Sequence, residues 1–583
     1  MSSNKPKTLS SYLPITAWLP ACSAETIRAD VLAGIALAAL LIPEGMAYAG
    51  IAGVPPYAGL FAAAVGLLVY ALLGSSRHLA VSPTSGSAAM LAALVGPLAG
   101  GDALTYMQMA SAAAISVGAL LLIGGIFKLG FVSEFIAKPV LKGFVFGLAL
   151  TIMLRQAPKL FGVEKTKGNF FEQLWGLIQS LNHTHFLTLA VGAAALAVTF
   201  GISAIAPRVP SALVVFVGGI LAVRVFGLAD RGVEVVGRMP GGMPHFVLPK
   251  IGADNWAELL SGAVGIVLIL YAEALAAART FAAKYNYDVN PNQELKALGT
   301  ANIASGLLQG FVVGGGMSGT AANASGGART QLSTMVTSVL TLLTLGFLMP
   351  MFRNLPEAVL AAIVIHAVAH LADVGELKRY ARLKTGGIWV AFTALIGVLA
   401  FGILNGLVLA VCLTLIALMK KLSAPQEAVL GRLHGTGTFV DIKRNPEAEL
   451  IPGLLIFRPN AILFFANANR VMNHIRELVK QSPPQLRVII LNLEAASEVD
   501  VTSLDLLDQL RSDLHTMGIQ LYLARVAEPV KDLFARSGFT ERLGADRIFW
   551  GVDMAVETYL NSIAQSSEQF ANTPTRPSAE LSS

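Results

Sequence analysis

The sequence predicts a polytopic α-helical membrane protein that carries a soluble α/β domain at its C-terminal end. More than half of the 583 residues are hydrophobic, only 13% are charged, and the mean hydropathy is +0.64. About a quarter of the residues of a soluble globular protein carry charge, so most of this chain needs lipid as its solvent. The pattern changes at Lys420-Lys421, where long apolar stretches give way to short alternating strands and helices.

The stretches before this boundary have the length of membrane spans, because a helix needs about 20 apolar residues to cross the hydrocarbon core. The candidates are 30–51, 57–74, 105–127, 135–155, 185–206, 210–227, 257–278, 331–352, 357–371 and 387–420. The last is too long for one span and is expected to break at Gly402 and Asn405-Gly406 into two helices. Residues 28–421 are therefore assigned to the transmembrane domain.

Two shorter segments are interrupted by Gly or Pro and rich in small polar residues: VSPTSGSAAML at 81–91 and VVGGGMSGTAANASGGA at 312–328. Each follows a similar motif, IPEGMAYAG at 42–50 and YAEALAAAR at 271–279, which aligns Glu44 with Glu273. This internal echo predicts two repeats. Interrupted segments at matching places in two halves point to the binding site of a transporter.

The distribution of Lys and Arg predicts the orientation, because these residues gather in cytoplasmic loops. On one side of the spans lie Lys5, Lys7, Arg28, Lys128, Lys138, Lys142, Lys378, Arg379, Arg382, Lys384, Lys420 and Lys421. We therefore expect an inner-membrane protein with both termini in the cytoplasm, including residues 1–27, which lack a signal-peptide core. Lys159, Lys165 and Lys167 lie on the other side, against the rule.

Residues 425–565 are predicted to form the soluble domain. The pattern gives a strand pair within 454–465, a helix at 467–480, a strand at 487–493, a helix from Thr502 to Met517 and a strand at 519–526, which together indicate a buried sheet with helices packed against it. The polar residues 566–583 are expected to be disordered.

Several long motifs resemble the sulfate permease (SulP) family of anion transporters. DVLAGIALAALLIPEGMAYAGIAGVPPYAGLFAA at 30–63 resembles the family's opening signature, and GSSRHLAVSPTSG at 74–86 resembles its third-helix entry. The stretch at 271–311 resembles its eighth and ninth helices. The C-terminal part is similar to the STAS domain, named for sulfate transporters and anti-sigma-factor antagonists. The resemblance covers roughly residues 25–560.

The resemblance implies fourteen segments in two inverted repeats of seven, with a core domain that moves against a gate domain. It also implies a homodimer in membrane lipid, with a cytoplasmic STAS domain that regulatory proteins could bind. The family binds its anion between the facing half-helices three and ten, which correspond to the two interrupted segments.

Two opposed helix N-termini can replace the hydration of an anion, because each offers free N–H groups and a partial positive charge. An alternative is that the small residues merely let helices pack closely; their occurrence at equivalent positions of two repeats favours binding. Tyr48 either lines the same cavity or packs between helices. The substrate-binding candidates are Tyr48, Ser82, Thr84, Ser85, Gly316, Met317, Ser318, Gly319 and Thr320.

Many relatives place an Arg directly after the Ser that matches Ser318, whereas this chain has Gly319. The site thereby loses a fixed positive charge, so an anion would bind better if a cation accompanied it. This departure favours symport over exchange.

Glu273 is the leading coupling candidate, because a carboxylate inside a span is costly when charged and usually marks function. Many family members carry an acidic residue here, and some use it to hold a proton or sodium. A structural ion pair with Arg279 is the alternative, but residues six apart do not share a helix face. Glu44 is either a second protonatable group or a neutral hydrogen-bonding residue. No cofactor is expected beyond a coupling proton or sodium ion.

Other chemistry has little support in the sequence. No catalytic constellation, nucleotide-binding GxxxxGK loop or basic run for nucleic acid occurs. His366 and His370 have zinc-like spacing but no third ligand, so no metal site is predicted. In DVTSL at 500–504, Thr502 aligns with the phosphate-accepting position of anti-sigma antagonists, and an ordinary helix N-cap is the favoured alternative.

These features predict a secondary active transporter of a small inorganic anion, most of all sulfate, by proton- or sodium-coupled symport. Bicarbonate or a dicarboxylate is the alternative substrate. A membrane-anchored STAS signalling protein is the alternative from another functional class.

Overall fold

The computed structural model describes residues 13–131, 138–166, 168–206, 209–239, 242–369, 371–383 and 387–571. The chain divides into two compact units, Met1–Thr414 and Leu415–Ser583. The division lies inside the last membrane helix, close to the boundary expected at Lys421.

The first unit is helical. Its elements are α1 (Ile15–Trp18), α2 (Ala24–Ala52), α3 (Pro56–Leu73), β1 (Val81–Ser82), α4 (Ser85–Leu98), α5 (Ala103–Ile126), α6 (Lys138–Phe161), α7 (Phe170–Ser180), α8 (Phe186–Ile205), α9 (Ser211–Phe226), α10 (Ala253–Tyr285), α11 (Pro291–Leu307), β2 (Gly314–Gly315), α12 (Met317–Ser325), α13 (Leu332–Leu343), α14 (Glu357–Ala369), α15 (Val374–Leu383), α16 (Gly387–Phe401) and α17 (Ile403–Ser423).

Among the described residues, eight helices are long and apolar enough to cross a membrane, and the protein is a multi-pass membrane protein. Each of the apolar stretches found in the sequence overlaps one or two of these helices. The expected break in 387–420 is confirmed at Gly402, whose φ of +84° separates α16 from α17, whereas Asn405-Gly406 lie inside α17 and do not interrupt it. This left-handed backbone conformation is one that glycine adopts at little cost.

Hydropathy did not find α7, α11 and α15. In α11, Glu294, Asn302 and Ser305 are fully buried, because protein rather than lipid surrounds this helix. It packs so closely on α5 that a Cβ atom on Gly118 would lie 2.6 Å from the Gly299 carbonyl oxygen. The family resemblance over residues 271–311 includes α11, although the apolar pattern does not predict this helix.

The two interrupted segments meet through their short strands. β1 and β2 pair antiparallel, with Val81 opposite Gly315 and Ser82 opposite Gly314. Asn302 of α11 holds this crossing, since its amide donates to the Val313 carbonyl at 2.8 Å and accepts from the Val313 N–H at 2.9 Å. Each strand is followed within a few residues by a half-helix, so the strand pair brings the N-termini of α4 and α12 together.

Two fully buried carboxylates tie the helices of this unit together. Glu294 accepts hydrogen bonds from the Tyr70 hydroxyl at 2.6 Å and from the Ser75 hydroxyl and N–H at 2.7 and 2.9 Å. Asp30 accepts from the Thr330 hydroxyl at 2.6 Å and the Arg329 N–H at 2.7 Å. Because their oxygens have several donors, these carboxylates are structural.

The second unit is an α/β domain. Its elements are β3 (Glu427–Arg432), β4 (Phe439–Asp441), β5 (Leu454–Pro459), α18 (Ala468–Gln481), β6 (Val488–Asn492), α19 (Val501–Thr516), β7 (Gln520–Ala524), α20 (Glu528–Arg536), α21 (Phe539–Leu543), β8 (Ile548–Phe549) and α22 (Val552–Ala571). The sheet order is β4-β3-β5-β6-β7-β8, with β5 to β8 parallel and β3 antiparallel to both neighbours.

Alternate residues of the central strands enter two hydrophobic clusters. Ile489 and Leu491 join the cluster of α18 to α21, whereas Val488 and Ile490 join that of α22. The sheet is therefore covered on both faces, as its continuous apolar strands predicted.

Two expectations for this domain were wrong. Residues 454–465 contain one strand, β5 (Leu454–Pro459), rather than a pair; beyond it Leu463 makes only an isolated bridge to Val499. The antiparallel partner is β3, which the sequence analysis did not assign. α22 continues to Ala571, so residues 566–571 are helical rather than disordered; residues 572–583 lie outside the described chain.

Candidate functional site

A cavity of about 260 Å³ lies where the two half-helices begin. Segments from both repeats line it, together with α6 and α14. The lining residues are Leu41, Glu44, Tyr48, Ala80, Ser82, Pro83, Thr84, Ser85, Gly86, Leu141, Lys142, Glu273, Ala276, Gly316, Met317, Ser318, Gly319, Ala367 and Leu371. Of the candidates from sequence, only Thr320 is missing from this wall.

A capping box stabilises the N-terminus of α4. The Thr84 hydroxyl accepts from the Ser87 N–H at 3.1 Å, and the Ser87 hydroxyl accepts from the Thr84 N–H at 3.1 Å. The first two helical residues, Ser85 and Gly86, line the cavity. Their N–H groups have no intrahelical acceptor, as at every helix start. Thr84 therefore positions this N-terminus rather than offering a free hydroxyl.

The N-terminus of α12 faces the same cavity. Its N-cap is Gly316, which has no side chain to cap the helix. The backbone N–H groups of the first turn therefore remain available as hydrogen-bond donors. A Cβ atom on Gly316 would lie 3.2 Å from the Thr84 methyl group, which shows how closely the two helix starts approach. Ser318 and Gly319 line the cavity behind it.

Thr320 is not among the residues that line the cavity, so its role in binding stays a prediction. Its hydroxyl donates to the Gly316 carbonyl at 2.7 Å and accepts from the Ala80 N–H at 3.3 Å. Thr320 is fully buried, so it joins α12 to the segment that leads into β1.

Both repeat-related glutamates line the cavity. Glu273 makes no hydrogen bond or ion pair with another described residue, Arg279 included, so the structural ion pair considered above is not formed. A Cβ atom on Gly86 would lie 3.4 Å from Oε2 of Glu273. The carboxylate thus lies against the first turn of α4. Glu44 is 6% exposed and lies one helical turn before Tyr48 on α2.

Lys142 is the functional candidate that the sequence analysis missed. The sequence analysis counts it only among the positive charges that flank a cytoplasmic loop, whereas it lies in the first part of α6 and lines the cavity. Its ammonium is 3.8 Å from Asp373, and both side chains are about 40% exposed, at 44% and 40%. Lys142 is the single cation among the described lining residues and supplies part of the charge that Gly319 lacks. The sequence feature that could have identified it is a lysine one helical turn inside an apolar span.

The remaining sequence candidates lie elsewhere. No group of three or more His, Cys, Asp or Glu that could hold a metal ion occurs in the described part of the chain. His366 instead lies 2.9 Å from the Ser203 hydroxyl, and His370 is outside the described residues.

In the STAS-like unit, the N-cap of α19 is Asp500, which accepts from the Ser503 N–H at 2.8 Å. Partial burial opposes ionisation of Asp500, but hydrogen bonds from Ser503 and Phe465 outweigh it and lower its pKa. Thr502 is exposed in the first turn of α19, so its interpretation as the cap was wrong.

Comparison with known proteins agrees with this architecture. Residues 27–394 match the model of the sulfate permease family, and residues 445–555 match that of the STAS domain. The chain is 35% identical to a probable sulfate transporter of Mycobacterium tuberculosis over 91% of this chain and 95% of that protein. It is 30% identical to sulfate transporter 1.3 of Arabidopsis thaliana, over 94% of this chain and 87% of that protein.

Solved structures show the same fold. The murine Solute Carrier 26 family member A9 anion transporter in the inward-facing state superimposes with a TM-score of 0.87 at 20% identity, over 97% of this chain and 96% of that one. The transmembrane domain of a cyanobacterial bicarbonate transporter gives a TM-score of 0.61 at 23% identity, over 67% of this chain and 98% of that one.

Proposed function

The chain belongs to the sulfate permease family, a family of transporters rather than enzymes, and from this premise we propose that it is a secondary active transporter whose substrate is sulfate. The observation that carries the proposal is the convergence of two helix N-termini, from opposite repeats, on one cavity of about 260 Å³. Such termini bind oxyanions through free N–H groups and the helix dipole.

The cavity offers several donors to a tetrahedral anion. The backbone N–H groups of Ser85 and Gly86 belong to the first turn of α4, and those of Ser318 and Gly319 to the first turn of α12. The hydroxyls of Ser82, Ser85 and Ser318 add further donors. Hydrogen bonds from such groups to a charged acceptor are about twice as strong as neutral ones.

The charges around the cavity favour symport. Two carboxyl groups, Glu44 and Glu273, and one ammonium group, Lys142, line it. An ionised Glu273 would itself occupy the positive end of α4, in competition with the anion. A proton or a sodium ion on Glu273 removes this competition, so the cation and the anion bind together. Glu44 then acts as a second site for the coupling ion or as a hydrogen-bonding wall.

The named relatives favour sulfate over bicarbonate or a dicarboxylate, because the similar sequences that extend over most of this chain carry the sulfate name. The bicarbonate transporter shares the fold alone. A purely signalling role is the weaker alternative. It does not account for the Glu273 carboxylate in the cavity or for the two helix N-termini that meet there. We propose a homodimer in the inner membrane, with both termini and the STAS domain in the cytoplasm, where regulatory proteins can reach that domain.

Uptake of radiolabelled sulfate by the purified chain in liposomes tests the proposal. Imposed proton or sodium gradients should drive accumulation, and excess unlabelled sulfate should compete better than bicarbonate or succinate. Ser318→Ala should lower sulfate uptake, whereas Ser325→Ala, at the exposed end of the same helix, should not. Uptake of bicarbonate or succinate without uptake of sulfate would show that the substrate is not sulfate. No uptake of any anion would favour the signalling role.

A further inference from the structure

A second polar pocket, of about 370 Å³, lies at the other end of the transmembrane unit. It is formed by the end of α2, the end of α6, the loop that follows α6, and α7. The residues that carry its chemistry are Arg155, Gln156, Lys165 and Thr166. Arg155 lies 13 residues beyond Lys142 on α6, which is roughly 20 Å along a helix. The pocket is therefore distinct from the cavity at the half-helices.

The positive charge in this pocket is only partly neutralised, since the Glu357 and Glu234 carboxylates act on Lys165 from beyond ion-pair distance. Arg155 is half-buried and makes no ion pair or hydrogen bond with another described residue. Lys165 likewise has no carboxylate within ion-pair distance among the described residues. The nearby Lys159 is the exception, since its ammonium is 2.9 Å from Glu357. A half-buried guanidinium without a counter-charge costs free energy, and a bound anion would remove that cost.

A buried amide points to the same kind of ligand. Gln156 is 4% exposed and lines the pocket, yet its side chain forms no hydrogen bond with another described residue. Buried amides are normally hydrogen-bonded in folded proteins, so its donors are available to a bound group. With the guanidinium, the Lys165 ammonium and the Thr166 hydroxyl, it forms a set of donors suited to an oxyanion.

The pocket gives a role to Lys165, one of three lysines that contradict the charge distribution of the chain. Lys159, Lys165 and Lys167 lie on the side opposite the predicted cytoplasmic one, where positive residues are disfavoured; Lys167 is outside the described residues. Partial burial and the Lys159 ammonium lower the pKa of Lys165, and the Glu357 and Glu234 carboxylates oppose this shift without cancelling it. A bound anion would offset both effects.

We propose that this pocket is a second anion site, which captures a soluble divalent oxyanion on the external face before it enters the central cavity. The guanidinium of Arg155 binds it in two-pronged fashion, Lys165 adds charge, and Gln156 and Thr166 donate hydrogen bonds. The identity of the anion as sulfate rests on the proposed function, whereas the existence of the site rests on the pocket alone.

The test is protection of Lys165 from acylation. Purified full-length protein in detergent is treated with an amine-acylating ester, with sulfate or with gluconate at equal ionic strength, and modified peptides are measured by mass spectrometry. Sulfate should slow acylation of Lys165 at least fivefold and leave the exposed Lys250 unchanged. Arg155→Gln should abolish this protection, and Arg155→Lys should retain part of it. Absence of protection, or protection that survives Arg155→Gln, would overturn the proposal.

Two further arms separate the alternatives. Ser318→Ala should weaken uptake but keep the protection of Lys165; protection lost in Ser318→Ala would show that Lys165 reports only the central cavity. In nanodiscs, protection by phosphatidylglycerol without sulfate would assign the pocket to a lipid phosphate and overturn the proposed soluble ligand.

In liposomes, Arg155→Gln should raise the external sulfate concentration for half-maximal uptake about tenfold, as expected for a lost charge-assisted hydrogen bond. The maximal rate should be unchanged. An unaltered half-saturation concentration would refute the capture role.

Discussion

Replacing Glu273 by Gln tests the coupling mechanism most directly. Gln has nearly the size of the protonated side chain and cannot ionise, so the variant imitates a permanently protonated site. We expect Glu273→Gln to bind sulfate and to exchange it across the membrane, but to lose accumulation driven by a gradient. Glu273→Ala should weaken both binding and exchange, because it leaves a void against the first turn of α4, where a Cβ on Gly86 would lie 3.4 Å from the carboxylate.

The position of Glu273 beside α4 sets the size of the effect expected on sulfate binding. An anion on the N-terminus of α4 would lie about 5 Å from an ionised Glu273, where two unit charges repel by about 3 kcal/mol at an effective dielectric constant near 20. Water in the cavity reduces this, so at least about tenfold tighter sulfate binding is expected for Glu273→Gln at alkaline pH, since 1.4 kcal/mol is a factor of ten. Binding to the parent should weaken as pH rises and Glu273 ionises, whereas binding to the variant should not.

The accumulation of sulfate driven by a proton gradient can be predicted in the same way. One pH unit corresponds to about 1.36 kcal/mol, so a carrier that moves one proton per anion concentrates the anion about tenfold for each unit of gradient at zero membrane potential. Liposomes clamped with potassium and valinomycin should show this ratio for the parent and a ratio of about one for Glu273→Gln. Glu258→Gln, exposed on the same helix, is the matched control. A folded Glu273→Gln protein that still concentrates sulfate, with unchanged pH and sodium dependence, would refute the coupling role.

Three further outcomes are expected. Lys142→Gln should weaken sulfate binding about two- to fivefold, most strongly at low salt, because a partly exposed charge contributes up to about 1 kcal/mol; Lys378→Gln is the control, and equal effects of both would deny Lys142 a specific role. Glu294→Ala should destabilise the folded protein by roughly 1–3 kcal/mol for each buried donor left unsatisfied, seen as a lower Tm in detergent, and Glu294→Gln by less; an unchanged Tm would contradict its structural role. Truncation after Lys421 should lower transport or expression without altering anion preference, measured by competition, because every cavity-lining residue precedes it; a changed preference would place the site elsewhere.

Most of the membrane helices could be predicted from hydropathy, since a helix that faces lipid must be apolar over its length. The same reasoning explains what was missed. α11 is enclosed by protein, so its buried Glu294 and Asn302 are satisfied by hydrogen bonds, and its sequence lacks the apolar signal. β3 is short and follows the last membrane helix directly. The pairing that gives it a place in the sheet joins residues far apart in the chain, which local pattern cannot show.

The candidate site was predicted to the level of elements but not of every side chain. Repeat symmetry placed both half-helices and both glutamates on one cavity. It could not show that Thr320, one turn from Gly316, donates its hydroxyl back to its own helix. Nor could it show that Asp500 rather than Thr502 caps α19. In both cases the choice depends on which way a side chain turns from a helix start, and that depends on the neighbouring segment.

Lys142 changes the electrostatic argument for symport without removing it. Gly319 was expected to leave the site without fixed positive charge, yet α6 brings an ammonium to the same cavity. This ammonium is shared with Asp373 at 3.8 Å, so only part of its charge is available to a substrate. A divalent anion beside two carboxyl groups therefore still lacks compensating charge unless a proton or sodium ion binds. Because Lys142 belongs to α6 and the two helix N-termini belong to the half-helices, any movement between these elements would change the charge that the anion experiences. In that case the lysine would favour anion entry in one state of the carrier more than in the other.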